Sequence, residues 1–296
     1  MNIVVTGSLG HISKPLAEKL VKEEHTVTVI SRSAERQPAI EELGARPAIG
    51  SLDDAAFLTS VFEGADAVYC MIPPNFGEPD QIAYYRRIGQ SYQQALRQSG
   101  VRRVVHLSSW GAHRSEGTGI ILGSHNVENM LNELPGIALT HLRAGSIYYN
   151  LYSFVDMIKQ AGIIGSNYGG DDKVVWAAPE DIAAAAAEEL TTPHGAARVR
   201  YVASDERTAS ETAQTLGEAI GKPDLQWATF SDEQVRESLR QRGMPARIVD
   251  DLVALNASIH SGVMGEDYEK NKPATMGQVK VEDFAQDFEK AFHHQQ

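Results

Sequence analysis

The sequence contains almost no cysteine and no long hydrophobic run. Its single cysteine, Cys70, cannot form an intramolecular disulfide, which favours a reducing compartment and a plain core role for this residue. No apolar run reaches the ~18 residues of a membrane-spanning helix, and the opening residues MNIVVTG lack the basic and apolar regions of a signal peptide. We therefore expect a soluble, cytoplasmic protein with no membrane partner.

Positive charge is also scarce. The 27 Lys and Arg residues are outnumbered by 39 Asp and Glu residues, and the resulting net charge of -12 repels phosphate backbones. The histidines lack the spacing of zinc motifs, one cysteine cannot build a thiolate site, and the GxSxG nucleophile motif is absent. The sequence thus predicts no nucleic-acid partner and no metal site.

Short β-branched runs alternate with helical stretches through the first half of the chain. Between the first two runs, apolar residues recur at helical spacing at Ile12, Leu16 and Leu20. The alternation predicts an α/β fold of the Rossmann type, with a doubly wound parallel sheet, and we assign residues 1–150 to it. The six runs are NIVVT, TVTVIS, ARPAIG, ADAVYCMI, VRRVVHLSS and IALTHLRAG.

This regularity fades after residue 150. The Gly-rich stretch AGIIGSNYGGDD (161–172) indicates a mobile loop, whereas KVVWAA and RVRYVAS, within 173–204, are expected to add strands to the first sheet. Beyond them come short helices and one strand-like segment, LQWATF. We assign residues 151–172 and 205–296 to a smaller, mostly helical lobe that binds the substrate.

The segment TGSLGHIS, residues 6–13, follows the first strand and opens a helix, which is the context of a phosphate-binding turn. Gly7 and Gly10 allow positive φ and close backbone approach, and the helix that follows offers free N–H groups to a pyrophosphate. Ser13 replaces the third glycine, a position that governs packing of the helix on the strand. The alternative is a tight strand-to-helix turn with no ligand.

The second strand ends in Ser31 and Arg32, with Arg36 close behind, where an NAD site usually carries Asp or Glu. Guanidinium and hydroxyl donors suit a ribose 2′-phosphate, which a carboxylate would repel. The sequence therefore predicts NADP(H) as the preferred cofactor, with NAD(H) as the lesser alternative. The competing interpretation is that the arginines belong to a solvated helix start.

These residues resemble the NmrA-like branch of the atypical short-chain dehydrogenases/reductases, which includes quinone and triphenylmethane dye reductases. The resemblance covers nearly the whole chain, and the specific segments are TGSLGHIS and the region from LSSWGA to YYN. Weaker matches are GADAVYCMIPP, APEDIA and KPATMGQVKVEDFA. The resemblance implies that the following residues bind the cofactor: Thr6, Gly7, Leu9, Gly10, His11, Ile12, Ser31, Arg32, Arg36, Leu52, Asp53, Met71, Ile72, Pro73, Pro74, Ser108, Ser109, His125, Gly145, Ser146 and Ile147.

Two departures from the family pattern concern the adenine side and the catalytic centre. Ser51 stands where the family often has Asp, so Leu52 and Asp53 are the expected adenine contacts. The YxxxK pair of the wider superfamily is missing, because no tyrosine lies between Tyr92 and Tyr148. Tyr268 and Lys272 have this spacing, but they lie in the C-terminal lobe, and we interpret the match as coincidence.

The catalytic candidates that remain are His125, Ser109 and Tyr148. In relatives a Lys often occupies the helix start that His125 fills here, and imidazole can either bind the nicotinamide ribose or donate a proton. A structural hydrogen bond of an exposed histidine is the alternative. Glu128 and Asn129 are expected to serve the helix surface and packing and not the chemistry, and His106 is expected in the core with a satisfied hydrogen bond.

Without a tyrosine acid, alcohol oxidation and sugar epimerisation are disfavoured, whereas hydride delivery to a conjugated acceptor needs less help. We therefore predict an NADPH-dependent reductase of a quinone-like or dye-like aromatic substrate. A homodimer is the expected assembly, because it is the commonest one. A redox sensor that binds NADP(H) without turnover is the second hypothesis, and a nucleotide-sugar epimerase or dehydrogenase the third. The candidate substrate contacts are Trp110, Tyr148, Tyr149, Phe154, Trp176 and Met264.

Overall fold

A seven-stranded sheet forms the centre of the first part of the chain. The computed structural model describes residues 1–75, 77–192 and 198–294. In spatial order the strands are β10 (Arg198–Val202), β6 (Ala138–Ala144), β5 (Arg103–Ser109), β4 (Ala67–Cys70), β1 (Asn2–Val5), β2 (Thr26–Ser31) and β3 (Arg46–Ile49). The pairs β1/β2, β2/β3, β1/β4 and β4/β5 are parallel. The chain reverses its direction of winding between β1 and β4, which is the switch point at which open α/β sheets bind ligands. The predicted Rossmann-type fold is confirmed.

All six runs predicted as strands form strands of this sheet. Most of them are buried almost along their whole length, because helices cover both faces of a parallel sheet. The strands are β1 (Asn2–Val5), β2 (Thr26–Ser31), β3 (Arg46–Ile49), β4 (Ala67–Cys70), β5 (Arg103–Ser109) and β6 (Ala138–Ala144), with β10 (Arg198–Val202) at the edge.

The crossover helices bury one apolar stripe each. Leu16 and Leu20 of the first crossover helix are fully buried. Tyr92 and Leu96 of the fourth helix lie in the core. The predicted helical faces are therefore confirmed. The helices of this part are α1 (Ser13–Lys22), α2 (Gln37–Glu42), α3 (Ala55–Phe62), α4 (Gln81–Ser99), α5 (Leu122–Asn132) and α7 (Pro179–Thr191).

Two segments were predicted to extend this sheet, and only one does. RVRYVAS supplies β10, where Arg200 and Arg198 bind the buried Glu189 of α7 and Thr140 of β6 donates to the same carboxylate at 2.9 Å. The prediction is wrong for KVVWAA, since β9 (Lys173–Ala177) pairs instead with β7 (Ser146–Ile147) and β11 (Asp205–Thr208). A strand that is buried along its length fits either sheet, so its composition alone does not choose the partner.

The Gly-rich stretch 161–172 is also not a loop throughout. Ile163–Ser166 forms β8, which pairs in parallel with β12 (Gln226–Thr229), and Asn167 and Tyr168 beyond it are buried. Gly165 lies against the Phe230 ring, where a Cβ would approach a ring carbon to 2.2 Å. The glycines here permit close packing, which the sequence pattern does not distinguish from flexibility.

The remaining helices belong to the second part of the chain. They are α6 (Val155–Ala161), α8 (Ala209–Ala219), α9 (Asp232–Gln241), α10 (Ala246–His260), α11 (Glu266–Lys270) and α12 (Val281–His294). Asp181 fixes the segment before α12, because its carboxylate accepts hydrogen bonds from the backbone N–H groups of Gln278 at 3.0 Å and Val279 at 3.2 Å. This contact joins APEDIA to KPATMGQVKVEDFA, two of the segments that carry the family resemblance.

The chain divides into two compact units. Unit 1 comprises residues 1–109, 123–143 and 182–200, and unit 2 comprises 110–122, 144–181 and 201–296. The border differs from the expected division at residue 150, because residues 110–122 and 144–150 pack with unit 2. Within the described residues, no helix is long and apolar enough to cross a membrane.

A buried histidine pair lies on β5 and β6 of unit 1. Nδ1 of His106 lies 3.0 Å from Nδ1 of His141, and Nε2 of His141 lies 3.1 Å from Oδ1 of Asn132. Since the Asn132 oxygen only accepts, His141 donates from Nε2 and accepts at Nδ1 from His106. The expected core position of His106 is confirmed, and both rings must be neutral.

We predict that this pair makes the protein sensitive to mild acid. Burial, reinforced by His141, lowers the pKa of His106 well below 6.5, and burial also lowers the pKa of His141. A lowered folded-state pKa contributes stability that is full above the unfolded value of about 6.5 and is lost as the pH falls below it. The free energy of unfolding, measured by urea titration, should therefore fall between about pH 7 and about pH 5.

The matched variant is His106→Asn, which keeps a hydrogen-bonding group near Nδ1 but does not titrate. It should reduce the pH slope by up to about 1.4 kcal/mol per pH unit. Identical slopes in the two proteins would contradict this account of the pair.

Candidate functional site

The turn between β1 and α1 is built around a close approach at Gly7. Its φ is +92°, and a Cβ there would lie 2.5 Å from Oγ of Ser13 and 2.7 Å from Sδ of Met71. Ser13, the residue in place of the third glycine, is 1% exposed and donates its hydroxyl to the carbonyl of Thr6 at 2.8 Å. The serine thus ties the start of α1 to the end of β1, at a distance that only a glycine at position 7 allows.

Two backbone N–H groups at this turn have no acceptor among the described residues. Ser8 donates to the carbonyl of Ile30 and Gly10 to that of Gly7, but among the described residues the N–H groups of Leu9 and Ile12 donate to none. Ile12 directly precedes α1, where the positive end of the helix dipole lies. Free N–H groups beside a helix N-terminus are suited to bind an anion.

Ser8 and Ser31 join this turn to the end of β2. Ser8 has a positive φ of 57°, which is unusual for a residue with a side chain, and its hydroxyl donates to Oγ of Ser31 at 3.0 Å. Ser31 is 4% exposed and also accepts from the N–H of Ser33. Ser31, a predicted phosphate ligand, therefore forms hydrogen bonds within the protein that position the turn.

Arg32 and Arg36 follow directly and are exposed. Within the described part of the chain neither guanidinium forms an ion pair with a carboxylate, although Glu35 stands between them in the sequence. Most other arginines of unit 1 have acidic partners, such as Arg87 with Asp53 at 2.6 Å. Two uncompensated cations therefore lie beside the turn at the end of β2.

Leu52 and Asp53, the predicted adenine contacts, follow β3. Leu52 is buried, whereas Asp53 is exposed and its carboxylate accepts from Nε of Arg87 on α4. Arg87 also binds Glu78 at 2.7 Å, and Ser91 donates to the backbone carbonyl of Asp53. This anchoring by α4 was not foreseen, because the residues are far apart in the sequence.

The segment Met71–Pro74 follows β4 on the other side of β1. Thr6 is fully buried and accepts the N–H of Met71 at 2.8 Å, and the Tyr92 hydroxyl donates to the Met71 carbonyl at 2.6 Å. Ile72 is buried, while Pro73 is half-buried and Pro74 is exposed. The predicted cofactor residues at the ends of β1, β2 and β4 thus surround the switch point of the sheet.

At the end of β5, Ser108 belongs to a buried charged network. Its hydroxyl donates to Oε1 of Glu128 at 2.5 Å, and Arg143 of β6 binds the same carboxylate through Nε at 3.0 Å and Nη2 at 2.7 Å. Glu128 is 4% exposed, so of the two expected positions, helix surface and packing, it takes the packed one. The signal was present as polar residues at alternate positions of two strands, 106 and 108 on β5, 141 and 143 on β6.

His125 lies on α5 one turn before Asn129. Nδ2 of Asn129 is 2.9 Å from Nε2 of His125, so the neutral imidazole carries its proton on Nδ1. Ser109, the last residue of β5, is half-buried and forms no hydrogen bond through its side chain to a described residue. Of the two catalytic candidates in unit 1, His125 and Ser109, the neutral His125 ring carries an N–H group on Nδ1.

In unit 2 the structure gathers four of the six substrate candidates in one apolar core. They are at most 4% exposed, while Tyr149 and Phe154 are half-buried. The four are Trp110, Tyr148, Trp176 and Met264. A substrate contact for these six residues stays a prediction.

Tyr148 is a poor acid or base in this arrangement. Its ring stacks on Phe284 and Trp176, with centroids 5.1 Å and 5.9 Å away, and its hydroxyl donates to the carbonyl of Val279 at 3.2 Å. Burial, together with the nearby carboxylates of Asp205 and Asp181, raises the pKa of Tyr148 above its ordinary value. The phenol therefore stays protonated and engaged in the core.

Gly145, Ser146 and Ile147 form the start of unit 2's three-stranded sheet. Gly145 is needed because a Cβ there would come within 2.4 Å of the Val175 carbonyl oxygen. Its N–H donates to the carbonyl of Val202 at 3.0 Å. These contacts explain the glycine structurally, and cofactor contact by the three residues remains a prediction.

Tyr268 and Lys272 do not form a superfamily-type catalytic pair. The Tyr268 hydroxyl donates to Glu206 at 2.6 Å, and Lys272 binds the other oxygen of the same carboxylate at 2.8 Å. Burial and Glu206 raise the pKa of Tyr268, whereas a catalytic tyrosine needs a lowered one. This geometry agrees with the interpretation of the spacing as coincidence.

Residues 1–283 match the NmrA-like family. The chain belongs to this family. A curated relative, an NAD(P)H azoreductase from Xenophilus azovorans, is 25% identical over 257 residues, which cover 86% of each chain. The resemblance found in the sequence is therefore confirmed.

Two solved structures share the fold across nearly the whole chain. An NADPH-dependent quinone oxidoreductase from Escherichia coli, solved with NADPH, has a TM-score of 0.78 at 21% identity and covers 96% of this chain and 98% of its own. A triphenylmethane reductase from Citrobacter sp., solved with NADP(H), has a TM-score of 0.78 at 18% identity and covers 97% of this chain and 100% of its own. At these identities the likeness establishes the fold.

We predict that Gly7→Ala destabilises the protein more than Gly64→Ala. Both glycines have positive φ, +92° and +74°, but a Cβ at Gly64 meets nothing within 4 Å. Gly64→Ala, the control, should lower the free energy of unfolding by about 1 kcal/mol through backbone strain alone. Gly7→Ala should lower it by ~1–3 kcal/mol more, because its Cβ clashes with Ser13 and Met71. Urea unfolding measures both, and equal losses would refute the close approach.

Proposed function

We propose that the protein is an NADPH-dependent oxidoreductase that transfers a hydride to a quinone-like or dye-like conjugated acceptor. The observation that carries the proposal is the pair of uncompensated arginines, Arg32 and Arg36, beside the glycine turn at the end of β2. A 2′-phosphate would neutralise these charges, whereas NAD(H) would leave them without a partner. The NADP(H) preference predicted from the sequence rests on this contrast.

The turn at Gly7 fits a dinucleotide. The N–H groups of Leu9 and Ile12 would bind the pyrophosphate, and the space at Gly7, which Ser13 and Met71 line, admits no side chain. Arg32 and Arg36 would hold the 2′-phosphate. When bound, NADPH supplies the hydride from C4 of its nicotinamide ring.

The acceptor decides whether the protein must also supply a proton. A cationic triarylmethane dye takes one hydride at its central carbon and becomes neutral, so no proton is needed. A quinone takes one hydride and one proton to become the hydroquinone. The chain lacks a tyrosine at the superfamily position, and Tyr148 is held in the core by Val279.

We assign the proton transfer to His125. In its neutral form the His125 ring carries its proton on Nδ1, and imidazole is the side chain that most often serves as a general acid. Asn129 holds the opposite nitrogen and so fixes the ring orientation. Ser109 would contact the nicotinamide side of the cofactor without supplying a proton.

The named activities of similar proteins point the same way. The azoreductase, the quinone oxidoreductase and the triphenylmethane reductase all carry names of reductases that use a nicotinamide cofactor with an aromatic acceptor. The acceptor of this protein is proposed at that class level. The homodimer and the cytoplasmic location stay predictions.

We predict that Arg32→Ala selectively weakens the binding of NADPH. Losing one charge-assisted contact to the 2′-phosphate should raise the Kd for NADPH about tenfold and leave the Kd for NADH within about twofold. Nucleotide fluorescence measures both constants, and NADPH oxidation with a panel of quinones and dyes tests turnover in the same samples. Arg46→Ala is the matched control, because Arg46 is an exposed arginine at the opposite, amino end of β3.

Three outcomes separate the hypotheses. Turnover with a selective NADPH defect in the variant supports the proposal. Tight NADPH binding without turnover would replace it with the redox sensor. Equal loss of NADPH and NADH affinity would contradict a role for Arg32 at the 2′-phosphate.

We predict that His125→Gln separates the two acceptor classes. The kcat for quinone reduction should fall about tenfold or more, because general acid catalysis is lost, whereas the kcat for a cationic dye should change little. Steady-state rates at saturating NADPH measure both, with His25→Gln at the amino end of β2 as the control. Equal losses with both acceptors would show that His125 acts on the cofactor and not on the proton.

A further inference from the structure

Burial of the Glu128–Arg143 ion pair beside Ser108 costs desolvation free energy, and the stability of the fold alone does not explain why it is there. The side chains of Arg143 and Glu128 are 10% and 6% exposed. The Glu128 carboxylate accepts two hydrogen bonds from Arg143 and one from Ser108. Replacing a buried ion pair by apolar side chains of similar volume is often neutral or stabilising. The pair therefore calls for a role beyond holding α5 on the sheet.

The ion pair determines which way the Ser108 hydroxyl points its proton. Arg143 only donates, and the Glu128 carboxylate accepts both of its hydrogen bonds. Ser108 must therefore donate to Glu128, at 2.5 Å. Toward any other partner, the Ser108 oxygen can therefore only accept a hydrogen bond.

The neighbouring polar groups hold this arrangement in place. Asn132, one turn after Glu128 on α5, binds His141, and His141 binds His106 on β5. Glu128 is thus joined to both β5 and β6, and Asn132 to β6 and, through His141, to β5. Rotation or sliding of α5 would break both sets of contacts at once.

Ser108 lies next to the last residue of β5, and β5 is the neighbour of β4 at the switch point. Its exposure is only 5%, so a partner must press closely against the strand end. Under the proposed function, the reactive end of the cofactor carries one group with N–H donors, the nicotinamide carboxamide. A quinone oxygen has no proton to donate and would not match Ser108.

We infer that Glu128 and Arg143 are a positioning pair that makes Ser108 a dedicated acceptor for the N–H of the nicotinamide carboxamide, an inference that rests on the proposed binding of NADP(H). Ser108 then fixes the orientation of the ring and takes no part in proton transfer. Glu128 and Arg143 act through Ser108 and touch neither cofactor nor substrate.

The test compares two ligands that differ only at the nicotinamide end. NADPH and 2′-phospho-ADP-ribose share the adenine, the 2′-phosphate and the pyrophosphate, but the second has no nicotinamide. Calorimetric Kd values are measured for the native protein, Ser108→Ala and Glu128→Gln, and for the double variant of both changes. Glu128→Leu with Arg143→Met, a volume-matched apolar replacement, keeps the test valid if the single glutamine variant does not fold.

Each variant should bind NADPH about three- to tenfold more weakly and 2′-phospho-ADP-ribose within about twofold of the native protein. The Ser108→Ala and Glu128→Gln effects should not add in the double variant, because both remove the same contact. The melting temperature of Ser108→Ala should stay close to that of the native protein.

Equal weakening of the two ligands would reduce the network to a structural role and overturn the inference. Unchanged NADPH binding in Ser108→Ala, or full additivity in the double variant, would overturn it as well. Failure of the native protein to bind either ligand would refute the proposed function itself, and the inference with it.

Discussion

The structure of the candidate site depends on one close contact, that between Gly7 and Ser13. Ser13 reaches across to the carbonyl of Thr6 only because no Cβ stands at Gly7. Through Thr6 the same contact extends to Met71 and Tyr92, and through Ser8 to the end of β2. The ends of β1, β2 and β4 are therefore held together by short polar contacts around a turn in which the N–H groups of Leu9 and Ile12 have no acceptor among the described residues.

Electrostatics divides unit 1 into paired and unpaired charge. Glu128 with Arg143 and Glu189 with Arg200 are neutralised in the interior, and Arg87 joins two acidic loop residues at the surface. Arg32 and Arg36 form no such pair among the described residues. These two exposed cations lie beside the glycine turn, where an anionic ligand would neutralise them.

The sequence predicted the parts of the fold that are local. The six strands and the glycine turn were predicted correctly, because their hydrophobic pattern, flanking residues and glycine spacing lie within a short stretch of sequence. The pairing of Lys173–Ala177 and the strand Ile163–Ser166 depend on partners in residues 205–208 and 226–229, so a window could not reveal them. The sequence did not decide between surface and packing for Glu128 because its partner Arg143 is on another element, and only the alternate polar residues of β5 and β6 indicated a polar interior.

The most direct test of the central claim is the transfer of deuterium from NADPH labelled at C4 to a cationic triarylmethane dye. We expect the protein to form the colourless reduced dye with deuterium at its central carbon from one of the two C4-labelled epimers, as measured by mass spectrometry. Reduced dye without the label from either epimer, or no reduction although NADPH binds, would contradict direct hydride transfer.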